Sequence, residues 1–141
     1  MDKIGFKKLT PFAKLPEYAK EGDSGMDVFA AHSVAIPPYG TAKVGLGIAC
    51  EIPKGYELQL RPRSGMSANG IIGAFGTIDS GYRGEIAAIL YNFNRKEVIV
   101  HDGDKIAQLV LAPVCRLDPV WVQELSQTER GADGFGSTGV H

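Results

Sequence analysis

Residues 55–62 read GYELQLRP, and their alternation decides the fold class. Tyr56, Leu58 and Leu60 fall on one face of an extended chain, and Glu57, Gln59 and Arg61 fall on the other. Successive strand side chains point to opposite faces, so this stretch has one face to bury and one to leave wet. Similar short runs recur along the chain: MDVFAAH (26–32), TAKVGLGIAC (41–50), EIAAILYNF (85–93), EVIVH (97–101), KIAQLVLAPV (105–114) and PVWVQEL (119–125). Eighteen glycines and eight prolines cut the chain into such pieces, with turn signals at Pro37-Pro38, Asn94-Arg95 and Asp102-Gly103. No stretch sustains a helical period, and SGMSANG (64–70) is the one helical turn the pattern predicts. Many short strands separated by turns predict an all-β barrel or sandwich.

A chain of 141 residues suits one domain with one core. Its net charge of -1 argues against a charge-driven nucleic-acid or membrane binder, but leaves room for a small anionic ligand held by a local cluster. Cys50 and Cys115 lie in apolar runs with no metal-ligand spacing, which predicts two buried, reduced thiols. No apolar stretch has the length of a leader or a membrane span, which predicts an intracellular, cytoplasmic protein.

Five stretches interrupt the strand pattern with polar residues. In DSGMDVFAA (23–31), Asp27 sits between Met26 and Val28 and faces either solvent or a site. In RPRSGMSANG (61–70), Pro62 fixes a turn from which Arg63 and Ser64 project beside the start of a short helix, a setting suited to phosphate. In GIIGAFGTIDSGYRGE (70–85), Gly70, Gly73 and Gly76 suggest a hairpin whose backbone approaches a ligand closely. Asp79 then stands where a carboxylate can act as a general base, and Tyr82 where a ring can pack on a sugar; DSGY also reads as an ordinary β-turn. In GDKIAQLVL (103–111), Gln108 is polar within an apolar run and by alternation can simply face outward. ERGADGFGSTGVH (129–141) nearly matches a phosphate loop, with Ser137 where lysine is expected. No strand–loop–helix unit surrounds it, so the readings left are a frayed terminus or a tail that wraps phosphate with its N–H groups and hydroxyls.

In this order, SGMDVFAA (24–31), RPRSGMSANG (61–70), GTIDSGYRGE (76–85), GDKIAQLVL (103–111) and RGADGFGSTG (130–139) resemble the five motifs of the trimeric dUTPases. The resemblance implies a distorted jelly-roll or β-clip barrel with at most one short helix, formed by residues 1–129. It implies a mobile, glycine-rich lid at 130–141. The activity implied is hydrolysis of dUTP to dUMP and pyrophosphate, which keeps uracil out of DNA and supplies dUMP for thymidylate synthesis. Asp79 would activate the attacking water, and Tyr82 would pack against deoxyribose and exclude a 2′-hydroxyl. Gly76, Thr77 and Ile78, with main-chain groups at Gly73 and Ala87, would read uracil. Arg63, Ser64, Gly65 and Gln108 would hold phosphate oxygens. Phe135 would lie on the base, while Arg130, Gly136, Ser137 and Thr138 close on the phosphates. Mg²⁺ would bind mainly to the triphosphate, with Asp27 holding its waters. The partners implied are dUTP and two further copies of the chain in a homotrimer with shared sites, with PVWVQEL pairing with a neighbour's sheet.

Two residues depart from the family pattern. Asp133 stands where a glycine is usual, bringing a carboxylate near three phosphates. Gly73 stands where many relatives carry an asparagine, and offers only its backbone. A dCTP deaminase or a nucleotide-responsive regulatory module on the same fold are the competing readings. The intact TIDSGYRGE and the complete tail favour hydrolysis.

Overall fold

The computed structural model describes residues 3–136. Its elements run β1 (Gly5–Lys8), β2 (Gly25–Phe29), β3 (Val34–Ile36), β4 (Thr41–Gly45), β5 (Ile48–Glu51), β6 (Tyr56–Arg61), α1 (Ser64–Ala68), β7 (Ile71–Gly73), β8 (Gly76–Ile78), β9 (Ala87–Asn92), β10 (Val98–Val100) and β11 (Lys105–Pro113). The strands make four antiparallel sheets: β1–β5, β10–β3, β2–β11–β6–β8 and β4–β9–β7. The all-β, jelly-roll-like expectation holds. The sheets wrap a common core without joining through ladders into a closed barrel.

Alternation works as the opening stretch predicts for Leu58 and Leu60, whereas Tyr56, at the start of β6, is exposed at 41%. Leu58 and Leu60 of β6 are buried in the core, while Glu57, Gln59 and Arg61 line the other face, linked side chain to side chain. Val28, Ile36, Val44, Leu46, Leu90, Ile106 and Leu109 complete the most deeply buried set. Asn92 is the one buried polar residue described, and it is satisfied. Its Nδ2 lies within hydrogen-bond distance of the carbonyls of Ile36, Pro37 and Lys96, and its Oδ1 accepts from the Asn94 N–H.

Four local expectations need correction. TAKVGLGIAC is two strands rather than one, because Gly47 adopts φ +69 and turns the chain between β4 and β5. The glycine-punctuated run 70–78 is not a hairpin: β7 pairs with β9, and β8 pairs with β6. The chain crosses between sheets there, which lets Ile71 and Ile78 enter the core from different sheets. PVWVQEL forms no strand. A strand needs a ladder partner, and among the described residues no backbone hydrogen bond joins 115–136 to the body; the last tie is Val114 N–H to Gly55 O at 2.8 Å. Finally, Cys50 is buried as predicted but Cys115, at the start of that unsupported segment, is exposed. No helix among the described residues is long and apolar enough to cross a membrane.

Candidate active site

The turn after β8 carries the first group of predicted residues. Tyr82 N–H donates to Asp79 O at 3.0 Å, so DSGY is a β-turn as well as a site candidate. The turn opens onto a cleft of about 260 Å³ lined by Gly76, Thr77, Ile78, Asp79, Tyr82 and Ala87. These six were singled out from the sequence, and the fold brings them together across two sheets, since β8 belongs to one and β9 to the other. Asp79 is exposed at the rim, free to meet water. Gly73 does not line the cleft. A Cβ there would sit 3.3 Å from Pro62 Cα, so Gly73 packs instead behind the turn that carries Arg63.

The second group gathers around Asp27 in the middle of β2. Its carboxylate is largely covered, 3.3 Å from Lys105 Nζ and 3.9 Å from Arg63 Nε. The Arg63 guanidinium donates to Lys105 O at 3.2 Å, and Gln108 Nε2 donates to Pro62 O at 3.2 Å. Gln108 thus faces the outer side of the sheet, as alternation allows, and braces the turn that leads into α1. The Gln108 side chain lies over Gly25, where a Cβ would collide with its amide. Arg63 occupies the N-cap position of α1 without capping it, and no acidic residue lies in the first turn. The leading N–H groups beside Ser64 and Gly65 are therefore open to an acceptor.

These two groups are far apart within one chain. Leu58 pairs with Ile78, so Asp79 lies level with Glu57, at the start of β6. Arg63 lies beyond the other end of β6, next to Lys105, which continues past the Gln108–Arg61 pair. Six residues at ~3.3 Å each separate them by about 20 Å. No single phosphate group spans such a gap.

The tail forms the third group, and among the described residues its hydrogen bonds stay within itself. Arg130 Nε donates to Asp133 O at 2.8 Å, Asp133 N–H donates back to Arg130 O at 3.2 Å, and Gly131 N–H donates to Thr128 Oγ1 at 3.1 Å. Asp133 therefore takes part through its main chain, with its side chain exposed. The hollow beside this loop is lined only by Thr128–Arg130 and Asp133–Gly136. Phe135 is fully exposed. Ser137 and Thr138 lie outside the described residues.

The dUTPase family model matches residues 12–139. The chain belongs to the dUTPase family. The deoxyuridine 5'-triphosphate nucleotidohydrolase of Hydrogenobaculum sp. is 47% identical over 98% of this chain and 99% of its own. Among solved structures, a mutant dUTPase of Staphylococcus bacteriophage 80alpha with dUpNHpp superposes with a TM-score of 0.92 at 28% identity, covering 99% of this chain and 100% of that one. A mutant dUTPase from phage phi11 of S. aureus, described as coordinating a structural Mg(II) ion, has a TM-score of 0.85 at 25% identity over 89% of this chain and 100% of that one.

Among the described residues of this dUTPase-family chain, no group of three or more His, Cys, Asp or Glu side chains is placed to hold a metal. Asp27 is a single carboxylate flanked by two cations. Such a donor set fits a hard ion held mainly by another ligand's oxygens, with the carboxylate reaching its waters, and does not fit a protein-built cage. The structure adds residues that the motifs did not single out. Lys43, Leu60, Glu85, Ile86 and Ile89 also line the Asp79 cleft, and Lys105 flanks Asp27. Lys43 enters because it pairs with Ile89 across β4 and β9, a register no local signal encodes. Lys105 stood inside a quoted motif, and a cation opening an apolar strand was the available clue.

Proposed function

We propose that this chain hydrolyses dUTP to dUMP and pyrophosphate at sites assembled from three copies of itself. The observation that carries the reading is the division of labour along β6. Asp79, Tyr82 and the main chain of Gly76–Ile78 share one cleft, in which Lys43 is the one cationic wall residue among those described. The Arg63–Lys105 cations lie about 20 Å away. Lys54 and Arg116 also stand beside Asp79 in a neighbouring hollow, and in this reading the phosphates of a nucleotide whose base and sugar fill the cleft are met chiefly by the Arg63 group of another copy.

In this reading uracil packs against Gly76, Thr77, Ile78 and Ala87 and is read through main-chain groups, with Gly73 supporting from behind. The Tyr82 ring closes the sugar side and leaves no space for a 2′-hydroxyl. Arg63, Ser64, Gly65 and Gln108 of a second copy hold phosphate oxygens. The tail of a third copy reaches over, with Phe135 on the base and Arg130, Gly136, Ser137 and Thr138 at the phosphates. Exposed Leu117, Val120, Trp121, Val122 and Leu125 support an arm that finds its partner on another copy's surface. Residues 130–141 then act as the lid.

Asp79 takes a proton from water as the water oxygen bonds to the α-phosphorus. The bond from that phosphorus to the α–β bridging oxygen breaks, and the oxygen leaves with pyrophosphate. Asp27 would receive the waters of a Mg²⁺ carried by the triphosphate, which neutralises phosphate charge when bound. Positioning and charge stabilisation are what this class of reaction demands of a protein.

Pyrophosphate release measured with dUTP, dCTP, dTTP and UTP tests the reading. Release from dUTP alone is expected. Ammonia from dCTP would instead make the chain a deaminase, and no turnover of any of the four would overturn the hydrolytic reading.

A further inference from the structure

We propose that Gly84 is a positioning residue for Tyr82: the absence of a side chain at 84 creates the space in which the phenol folds back, and so sets the sugar gate. This deepens the reading of the Asp79 cleft given above and rests on it.

Tyr82 is anchored at both ends. Its N–H donates to Asp79 O at 3.0 Å, and its hydroxyl donates to Glu85 O at 2.9 Å. Between these bonds the ring lies over Gly84. A Cβ at 84 would stand 2.6 Å from Tyr82 Cζ and 3.0 Å from Cε1, and closer still to the hydroxyl oxygen. Real carbon contacts are not that short. Gly84 is also absent from the glycines with positive φ, so it does not sit in the left-handed region that favours glycine. The nearest obstacle to a side chain there is the ring.

The direction of relief follows from what holds each side. The loop backbone is braced by Arg83, whose guanidinium donates to Ser80 O at 2.8 Å and to Tyr82 O at 3.2 Å. The ring is held by one hydrogen bond and is nearly half exposed, at 46%. A methyl group at 84 therefore moves the ring outward and leaves the loop in place. Asp79 keeps its position, and the wall that excludes a 2′-hydroxyl is lost.

Steady-state kinetics with dUTP and UTP on wild type, Gly84→Ala, Tyr82→Ala and the double variant test this. Gly84→Ala is expected to lower the ratio of kcat/KM for dUTP over UTP by about tenfold or more, in line with the cost of small misplacements at a site. Its melting temperature should stay near wild type. In the Tyr82→Ala background, Gly84→Ala should change the ratio no further, because it acts through the ring. Tyr82→Phe, which deletes only the hydroxyl anchor, should lower the ratio in the same direction by less. A purely structural role predicts equal losses for both nucleotides, repeated in the Tyr82→Ala background; that result overturns the proposal, as does an unchanged ratio in Gly84→Ala. An unchanged ratio in Tyr82→Ala overturns the sugar gate and this inference together, while dUTP hydrolysis still stands. Should wild type turn over no nucleotide, the ring carbon resonances of labelled Tyr82 still decide: a shift in Gly84→Ala that matches loss of the hydroxyl anchor supports the proposal, and no shift overturns it.

Discussion

Residues 3–113 and residues 114–136 contain the same kinds of apolar side chain and treat them in opposite ways. Leu109, in β11, is 0% exposed, whereas Leu117 is 87% exposed and Trp121 is 101%. In the body, every strand has a ladder partner and presents its apolar face to a shared core. Among the described residues, the arm has no ladder partner and adds no side chain to the core. Hydrophobic content by itself therefore does not make a strand. Backbone groups must find a free edge before the side chains can be buried. The body closes a core of its own within one chain, and in the proposed assembly the arm finds its counterpart on another copy.

The largest expected effects come from separating the two regions chemically. Asp79→Asn should lower kcat by ~10²-fold or more, the range for losing a positioned proton acceptor, with dUTP binding kept within about tenfold. A truncation after Glu129 should be comparably inactive, because it removes the proposed lid. Unfolded and refolded together, the two inactive proteins should regain a fraction of wild-type activity set by the statistics of mixing. No recovery at any ratio would mean that each tail serves its own body, and the division would fail.

Stability gives the next largest contrast. Leu58→Ala should cost ~2–5 kcal/mol at any protein concentration, since Leu58 is fully buried in its own chain. Trp121→Ala should cost under ~0.5 kcal/mol at high dilution, as exposed positions do. Its effect should grow with concentration as copies associate. Urea unfolding at two protein concentrations reads both. An equal loss for Trp121→Ala at high dilution would break the comparison.

The smallest effect uses the two thiols, one in each region. Burial pushes the Cys50 thiol above the ordinary 9.0, partly opposed by the positive charge of Arg83. As pH rises past that value the unfolded chain ionises first, so this contribution to stability is complete below 9.0 and falls away above it. Cys50→Ala should flatten the alkaline limb of stability against pH. Cys115→Ala, at an exposed position, should cost under ~0.5 kcal/mol at neutral pH.

Much of the body was legible in local signals. Alternation in GYELQLRP placed β6 and its buried face, and SGMSANG placed α1 within a residue or two. The five motifs held almost every candidate site residue, because chemistry interrupts a strand pattern with polar groups. The hairpin expected at 70–78 failed for an instructive reason. Glycines mark a change of direction, and nothing nearby says whether the next strand returns to its neighbour or crosses to another sheet. The strand expected at 119–125 does not form within the single chain, because periodicity predicts a face and says nothing about a partner. Lys43 was invisible for the same reason as the hairpin error, since it reaches the cleft through a pairing between distant strands.

The sequence by itself determined the all-β class, the positions of most strands and turns, and the family, since each is written in a few consecutive residues or in ordered motifs. Pairing was decided only in three dimensions. No two strands consecutive in sequence are ladder partners, so β1 meets β5, β2 meets β11 and β4 meets β9 across long intervening chain. Such pairings are chosen by how the buried faces of all strands fill one core together, a condition no single stretch carries. The same packing set Asp79 and Arg63 at opposite ends of β6 and laid the Tyr82 ring over Gly84. Local chemistry named the residues, and the close packing of distant strands determined which of them could meet.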